Sequence, residues 1–356
     1  MNINKLFLFF IFLLLMNKLI AQDSEVISQI VKEGAMLQDK GSYDSALTLY
    51  NKVLSIDKDN LMAMTEKAYT LLTIKKYNES IAYCKKVLEK NPADKKYSSV
   101  YNCYGHALTG LKQTEKAIEI YTAGINKYPD NNKLYFDRGV AYYELNRDEE
   151  AIVDFQKSIK IRPDHASSHN ALGIVLKLND KRIPALLALC RFLVLEPMSQ
   201  RAMQSLNDVH VLLKGDVVKR DDNAIAITMK PEGKKDSLLS IYKKKENDFR
   251  STEVMLIMLS ALNMAENKHK TQTQLLADKF EKLISFLSQN KKDNSGFFWD
   301  YYVPYFSEMK EKKFNQTFAY IISASSDDPT IQNWLDIHKN EVNEFYNWSD
   351  NYNWYI

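Results

Sequence analysis

Cysteine, glycine and net charge are all scarce in this chain. Three cysteines, Cys84, Cys103 and Cys190, stand among 356 residues. An odd count far below disulfide-scaffold density means that the fold does not rest on bridges, even in an oxidising compartment. All three fall on helical positions between apolar neighbours and read as small buried hydrophobes. A Cys84–Cys103 bridge is the alternative, because consecutive helices carry them. Ten glycines leave no Gly-rich phosphate loop, and there is no G-x-S-x-G elbow, Cys/His nucleophile pair or specific carboxylate pair. A formal charge of +3, part of it from Lys5 and Lys18 at the extreme N-terminus, gives no case for nucleic acid or an anionic membrane. Beyond the first twenty residues no segment reaches the ~18 consecutive apolar residues of a membrane span.

Metal-ligand spacing is equally thin. Of six histidines, only His165 and His169 lie at helical i, i+4 spacing, with Ala166-Ser167-Ser168 between them and no third ligand in reach of the motif. The acid pair Asp327-Asp328 reads as a helix cap. The chain is therefore expected to be no enzyme and to need no cofactor and no metal.

Lys5 supplies a basic start, Leu6 to Met16 is an unbroken apolar run, and Leu19-Ile20-Ala21 offers a small residue before Gln22. This has the layout of a secretory signal. Residues 1–21 are expected to be removed, which leaves an exported protein, periplasmic or secreted.

The strongest signal is internal repetition. Small residues recur at Ala46, Ser80, Ala117, Ala151 and Ala185, spaced 34, 37, 34 and 34 residues apart. Twelve residues earlier stand Gly34, Ala68, Gly105, Gly139 and Gly173. Four residues later stand Tyr50, Cys84, Tyr121, Phe155 and Leu189. Twelve later stand Lys58, Pro92, Pro129, Pro163 and Pro197. Small residues at two points let paired helices approach, and large residues at helical spacing fill the layer between them. Proline stops the second helix. One such hairpin cannot bury its apolar face alone, so neighbours must stack.

In this pattern the chain resembles the tetratricopeptide repeat (TPR) family, over 27–60, 61–94, 98–131, 132–165 and 166–199. Lys95-Lys96-Tyr97 is inserted between the second and third units. The resemblance implies an all-α helical-hairpin solenoid, with Gln200–Lys214 as a capping helix whose Met203, Leu206, His210 and Leu213 share one face. It also implies that the first helix of each unit lines a concave groove. Tyr69, Asn102, His106, Phe136, Asp137, Tyr143 and Asn170 are the candidate binding residues there, beside Lys32, Thr65, Val140 and Ile174. Aromatics and amides suit an extended peptide. The Lys/Asn/Asn/Lys/Arg carboxylate clamp of one subfamily is absent; one window carries Val31, Ala35, Glu66, Ser99 and Cys103 in its place.

The TPR domain is expected over 22–215, a linker over 216–235, and a second, aromatic-rich helical domain over 236–356. Within the linker, Ala224 to Met229 alternates as an isolated strand or extended segment would. Helices are expected from Leu238, Leu239 and Tyr242; over Val254–Met264, almost wholly buried; from Leu275 to Leu287; from Trp299 to Phe306, interrupted by Pro304; from Phe314 to Ile322; and from Asp328-Pro329 to the end. The tail from Asn351 to Ile356 carries aromatics without a periodic face. The expected function is that of a non-enzymatic scaffold or adaptor, binding a protein or peptide in an envelope-associated assembly. An enzyme with an active site in the second half, or a glycan binder using its aromatics, are the competing readings.

Overall fold

The structure is a computed structural model that describes residues 24–90, 93–214, 217–221, 224–227, 246–266 and 269–354. The expected signal, residues 1–21, lies outside the described residues, as do Pro92, Gly215 and the expected helix at Leu238, Leu239 and Tyr242. The chain divides into two compact units, Met1–Asn146 and Arg147–Ile356.

The first unit alternates first and second helices: α1 (residues 24–39), α2 (Tyr43–Ile56), α3 (Leu61–Thr73), α4 (Tyr77–Glu89), α5 (Ser99–Gly110), α6 (Thr114–Lys127) and α7 (Asn132–Glu144). From α2 onward each helix packs on its chain neighbour, and the first helices α3, α5 and α7 also touch in sequence. Asn60 and Asn131 begin α3 and α7 by accepting backbone N–H bonds from Ala63 and Lys133, as N-caps do. The three-residue insertion is absorbed as a 3-10 turn, Lys95–Ser98, opened by the Asp94 side chain accepting from Lys96 N–H.

The small-and-large pattern has a direct steric cause. A Cβ on Gly105 would lie 2.2 Å from Cε1 of Tyr121, and one on Gly34 would lie 2.5 Å from Cε1 of Tyr50. Both tyrosines are fully buried. In the second unit of the repeat the large residue is Cys84, and the facing small residue is Ala68 instead of glycine. The turn joining first to second helix has a left-handed residue in every repeat: Gly41, Lys75, Lys112, Asn146 and Asp180. Only the first of these is the glycine that such a conformation favours.

The second unit holds α8 (Asp148–Ile161), α9 (Ala166–Leu178), α10 (Arg182–Leu195), α11 (Gln200–Lys214), a hairpin of β1 (Val217–Asp221) and β2 (Ala224–Ile227), then α12 (Arg250–Glu266), α13 (Gln272–Asn290), α14 (Phe297–Glu311), α15 (Asn315–Ile322), α16 (Pro329–Ile337) and α17 (Lys339–Asp350). The alternating run Ala224–Ile227 is thus a strand, paired antiparallel with Val217–Asp221 so that Val217 faces Ile227.

The unit boundary differs from the one expected at 216–235, and α10 is the reason. Every residue from Ile183 to Val194 is buried, because α9 and α11 cover part of it while α12, α14 and α15 cover more. A helix apolar all round needs a core on all sides. Three smaller expectations are also corrected. The buried face of α11 is Ala202, Ser205, Leu206, Val209, Leu212 and Leu213, and Met203 is exposed. Helix α12 is not almost wholly buried: Val254 and Met258 face solvent, while Leu256, Ile257 and Ser260 face inward. Helix α14 continues through Pro304 without a break. Burial of Phe298, Trp299, Tyr301, Tyr302, Tyr305 and Phe306 along it offsets the ~3 kcal/mol cost of an interior proline.

Candidate functional site

Six of the seven candidate binding residues lie in the first unit, and α5 and α7 carry most of them. Asn102 and His106 are one turn apart on α5, so their side chains project from one face. Both reach Asp137 on α7. Asn102 Nδ2 donates to Asp137 Oδ2 at 2.5 Å, and His106 Nε2 lies 3.0 Å from the same oxygen. Asn102 is buried, and its Oδ1 has no hydrogen-bond partner among the described residues. An orphaned buried carbonyl is uncommon and costs free energy until a donor meets it. Phe136, Val140 and Tyr143 follow the i, i+4, i+7 line on α7; Phe136 and Val140 are half-buried, and Tyr143 is exposed.

The remaining candidates are held by packing. Tyr69 is half-buried against the Met64, Ala68, Cys84 and Cys103 cluster, and its hydroxyl donates to the Ser99 carbonyl at 2.6 Å. It ties one repeat to the next. Asn170 lies in the second unit, where its Oδ1 accepts from Ser205 of α11 at 2.9 Å.

His106 carries the clearest electrostatic signature of the site. Burial disfavours its charged form, but the hydrogen bond to Asp137 and that carboxylate's charge outweigh it, and the net shift is upward from the ordinary value. A histidine whose folded value is raised contributes stability that is fully present below its unfolded value of about 6.5. That contribution fades as the pH rises through the higher folded value. In an NMR titration His106 is expected to titrate above the unperturbed imidazole, and Asp137→Asn is expected to bring it down to that value or below. An unmoved midpoint in the variant would mean that Asp137 does not hold the imidazolium.

The other candidate chemistries are used up by the fold. His169 is fully buried, with Nδ1 2.7 Å from the Tyr302 hydroxyl and Nε2 3.0 Å from the Pro163 carbonyl. Burial, with the nearby Arg191 charge, pushes it down to about 3, so it stays neutral. Its two nitrogens already have protein partners. Asp328 caps α16 by accepting from the N–H and hydroxyl of Thr330. Two tryptophans of the second half stack on neighbouring rings: Trp334 on Tyr320 and His338, with centroids 4.0 and 3.9 Å away, and Trp354 on Tyr301 and Tyr305 at 4.4 and 4.9 Å. The described part of the aromatic tail, through Tyr352 and Trp354, therefore packs on α14.

Sequence reasoning missed Arg191. It is buried in α10, donates to the Tyr305 and Ser349 hydroxyls at 3.0 and 2.8 Å, and lies over the Tyr305 and Trp354 rings. A lone arginine inside the apolar run from Ile183 to Leu195 was the available signal.

Comparison with known proteins agrees with this reading of the repeats. The family described as "Psidin, N-terminal TPR repeats region" matches residues 36–166. A STIP1 homolog of Dictyostelium discoideum is 27% identical over 124 residues, which is 34% of this chain and 22% of that protein. A TPR repeat-containing protein of Methanocaldococcus jannaschii is 23% identical over 156 residues, 42% of this chain and 28% of that one. The chain thus spans about a quarter of the length of these curated relatives. Among solved structures, a thermophilic TPR protein of Thermus thermophilus is 19% identical, with a TM-score of 0.45, over 52% of this chain and 100% of that one. Over residues 36–166 the helical hairpins of this chain match the tetratricopeptide repeat family.

Proposed function

We propose that the protein is an exported scaffold that binds an extended peptide or protein segment on the first-helix face of its repeats, and that it binds without catalysing. The observation that carries this reading is the α5–α7 cluster. Asn102 and His106 of α5 both engage the Asp137 carboxylate of α7. An exposed Tyr143 and a half-buried Phe136 lie on the same line of α7. A peptide backbone supplies N–H donors, and its side chains supply apolar surface for aromatic anchors. Export rests on the Lys5, Leu6–Met16 and Ala21 arrangement.

The experiment starts from the native envelope. Cross-linking there should recover this protein, beginning at or near Gln22, with a bound protein partner. Phe136→Ala and Tyr143→Ala should each weaken binding of that partner by ~2 kcal/mol, roughly thirtyfold. Lys85→Ala, on the exposed face of the second helix α4, should leave it unchanged. An intact Met1 on the recovered protein contradicts export. Unchanged affinity in both α7 variants, with folding intact, contradicts the binding face.

A further inference from the structure

Cys84 and Cys103 occupy facing positions at the junction of the second and third repeats. The equivalent positions are known from the neighbouring junctions. Glu66 faces Tyr50 closely enough for its charge to disfavour the phenolate, and Asp137 does the same to Tyr121. Each of those pairs is separated by sixteen residues in the chain. At the middle junction the three inserted residues lengthen the separation to nineteen, and the pair is Cys84 and Cys103. Elsewhere the first position of this pair holds Tyr50, Tyr121, Phe155 and Leu189, and the second holds Lys32, Glu66, Asp137 and Ala171. Thus at one junction both facing residues change, and both become cysteine, in a chain with only three.

The surroundings fit a paired role. Both thiols are fully buried and free, in one cluster with Met64, Ala68, Val87 and Val100. The Ser80 hydroxyl, one turn before Cys84, lies 3.5 Å from Cys103 Sγ. Cys84 and Cys103 lie close enough to perturb one another, the contact lowering Cys103 and raising Cys84.

We infer that Cys84 and Cys103 form a disulfide that staples the second repeat to the third, a modification independent of the peptide-binding reading. The oxidant is a disulfide from solution or from an exchange partner. A thiolate of one of the two cysteines attacks that disulfide and displaces one of its thiolates. The second cysteine, giving up its proton, then attacks the mixed disulfide and releases the other. Two protons and two electrons leave the protein, and the oxidant is reduced to two thiols. Because both sulfurs are buried, the reaction proceeds through local opening of the α4–α5 junction. Closure then returns the pair to its packed geometry.

The test uses the whole protein. It is purified reduced, equilibrated with glutathione disulfide under native conditions warm enough to allow local opening, quenched in acid, unfolded and alkylated. Intact mass should show one alkyl adduct, at Cys190. A peptide linking Cys84 to Cys103 should appear and vanish on reduction. Cys84→Ser should leave Cys103 alkylated or carrying glutathione. If that variant does not fold, the adduct count on the unaltered protein still decides. Three alkyl adducts, or glutathione on Cys84 and Cys103 with no peptide joining them, overturn the inference.

Discussion

A chain ended after Lys214 is expected to lose the fold of its fifth repeat. The cut leaves all five hairpins and the capping helix in place, so the repeat pattern alone forecasts an intact array. The packing forecasts otherwise. Helix α10 is buried from Ile183 to Val194, and α12, α14 and α15 supply part of that cover. Each aliphatic side chain uncovered costs about 2 kcal/mol, a large fraction of a typical domain's whole stability of about 5–15 kcal/mol. Arg191 would also lose Tyr305, Ser349 and Trp354, and His169 would lose Tyr302. Hydrogen exchange should find α10 unprotected in the truncated chain and protected in the full one. Equal protection in both would show that the repeats end as an independent domain near residue 215.

Gly105→Ala is expected to cost about 3 kcal/mol, the upper end of the range for overpacking. The new Cβ would meet Cε1, Cζ and the hydroxyl oxygen of Tyr121 at 2.2, 2.3 and 2.7 Å. That ring is 1% exposed and has nowhere to move. Gly173→Ala should cost less, since its Cβ overlaps less closely, meeting Cδ2 and Cγ of Leu189 at 2.6 Å. Adding Tyr121→Cys to Gly105→Ala copies the Ala68–Cys84 pair of the second repeat. The double variant should lose less than the two single losses combined, which a double-mutant cycle measures by urea unfolding. Strict additivity would mean that the two positions do not share one packing problem.

Much of the fold was legible because each repeat is a local unit. The Ala46, Ser80, Ala117, Ala151 and Ala185 series marks second helices, and Gly34, Gly105 and Gly173 mark the close approaches. Both signals arise within one hairpin, so a 34-residue window contains their cause. What was not legible depends on distant chain. Nothing in the neighbourhood of α11 says that Met203 points to solvent and Leu212 inward; partners in other helices decide it. The division at Asn146 also involves distant chain, since part of the cover of α10 comes from helices after residue 250. The left-handed turn residues Lys75, Lys112 and Asp180 escaped notice because lysine and aspartate do not announce that conformation as glycine does at Gly41. For the proposed binding face, the repeat positions put Asn102, His106 and Asp137 among the expected groove residues, and the structure brings the three together. Repeat position did not foretell that Tyr69 and Asn170 would be held by Ser99 and Ser205.

The binding face can be tested without first knowing the partner. A photo-activated cross-linking amino acid is placed at Tyr143 in one variant and at Lys85 in another, each expressed in the native organism, and illuminated in living cells. Both positions are exposed in the free protein, so both probes reach solvent. The proposed function requires a discrete, partner-sized adduct from position 143 that weakens when Asn102→Ala or Phe136→Ala is added, and no adduct of that size from position 85. A single adduct from position 85 with none from 143 would contradict it.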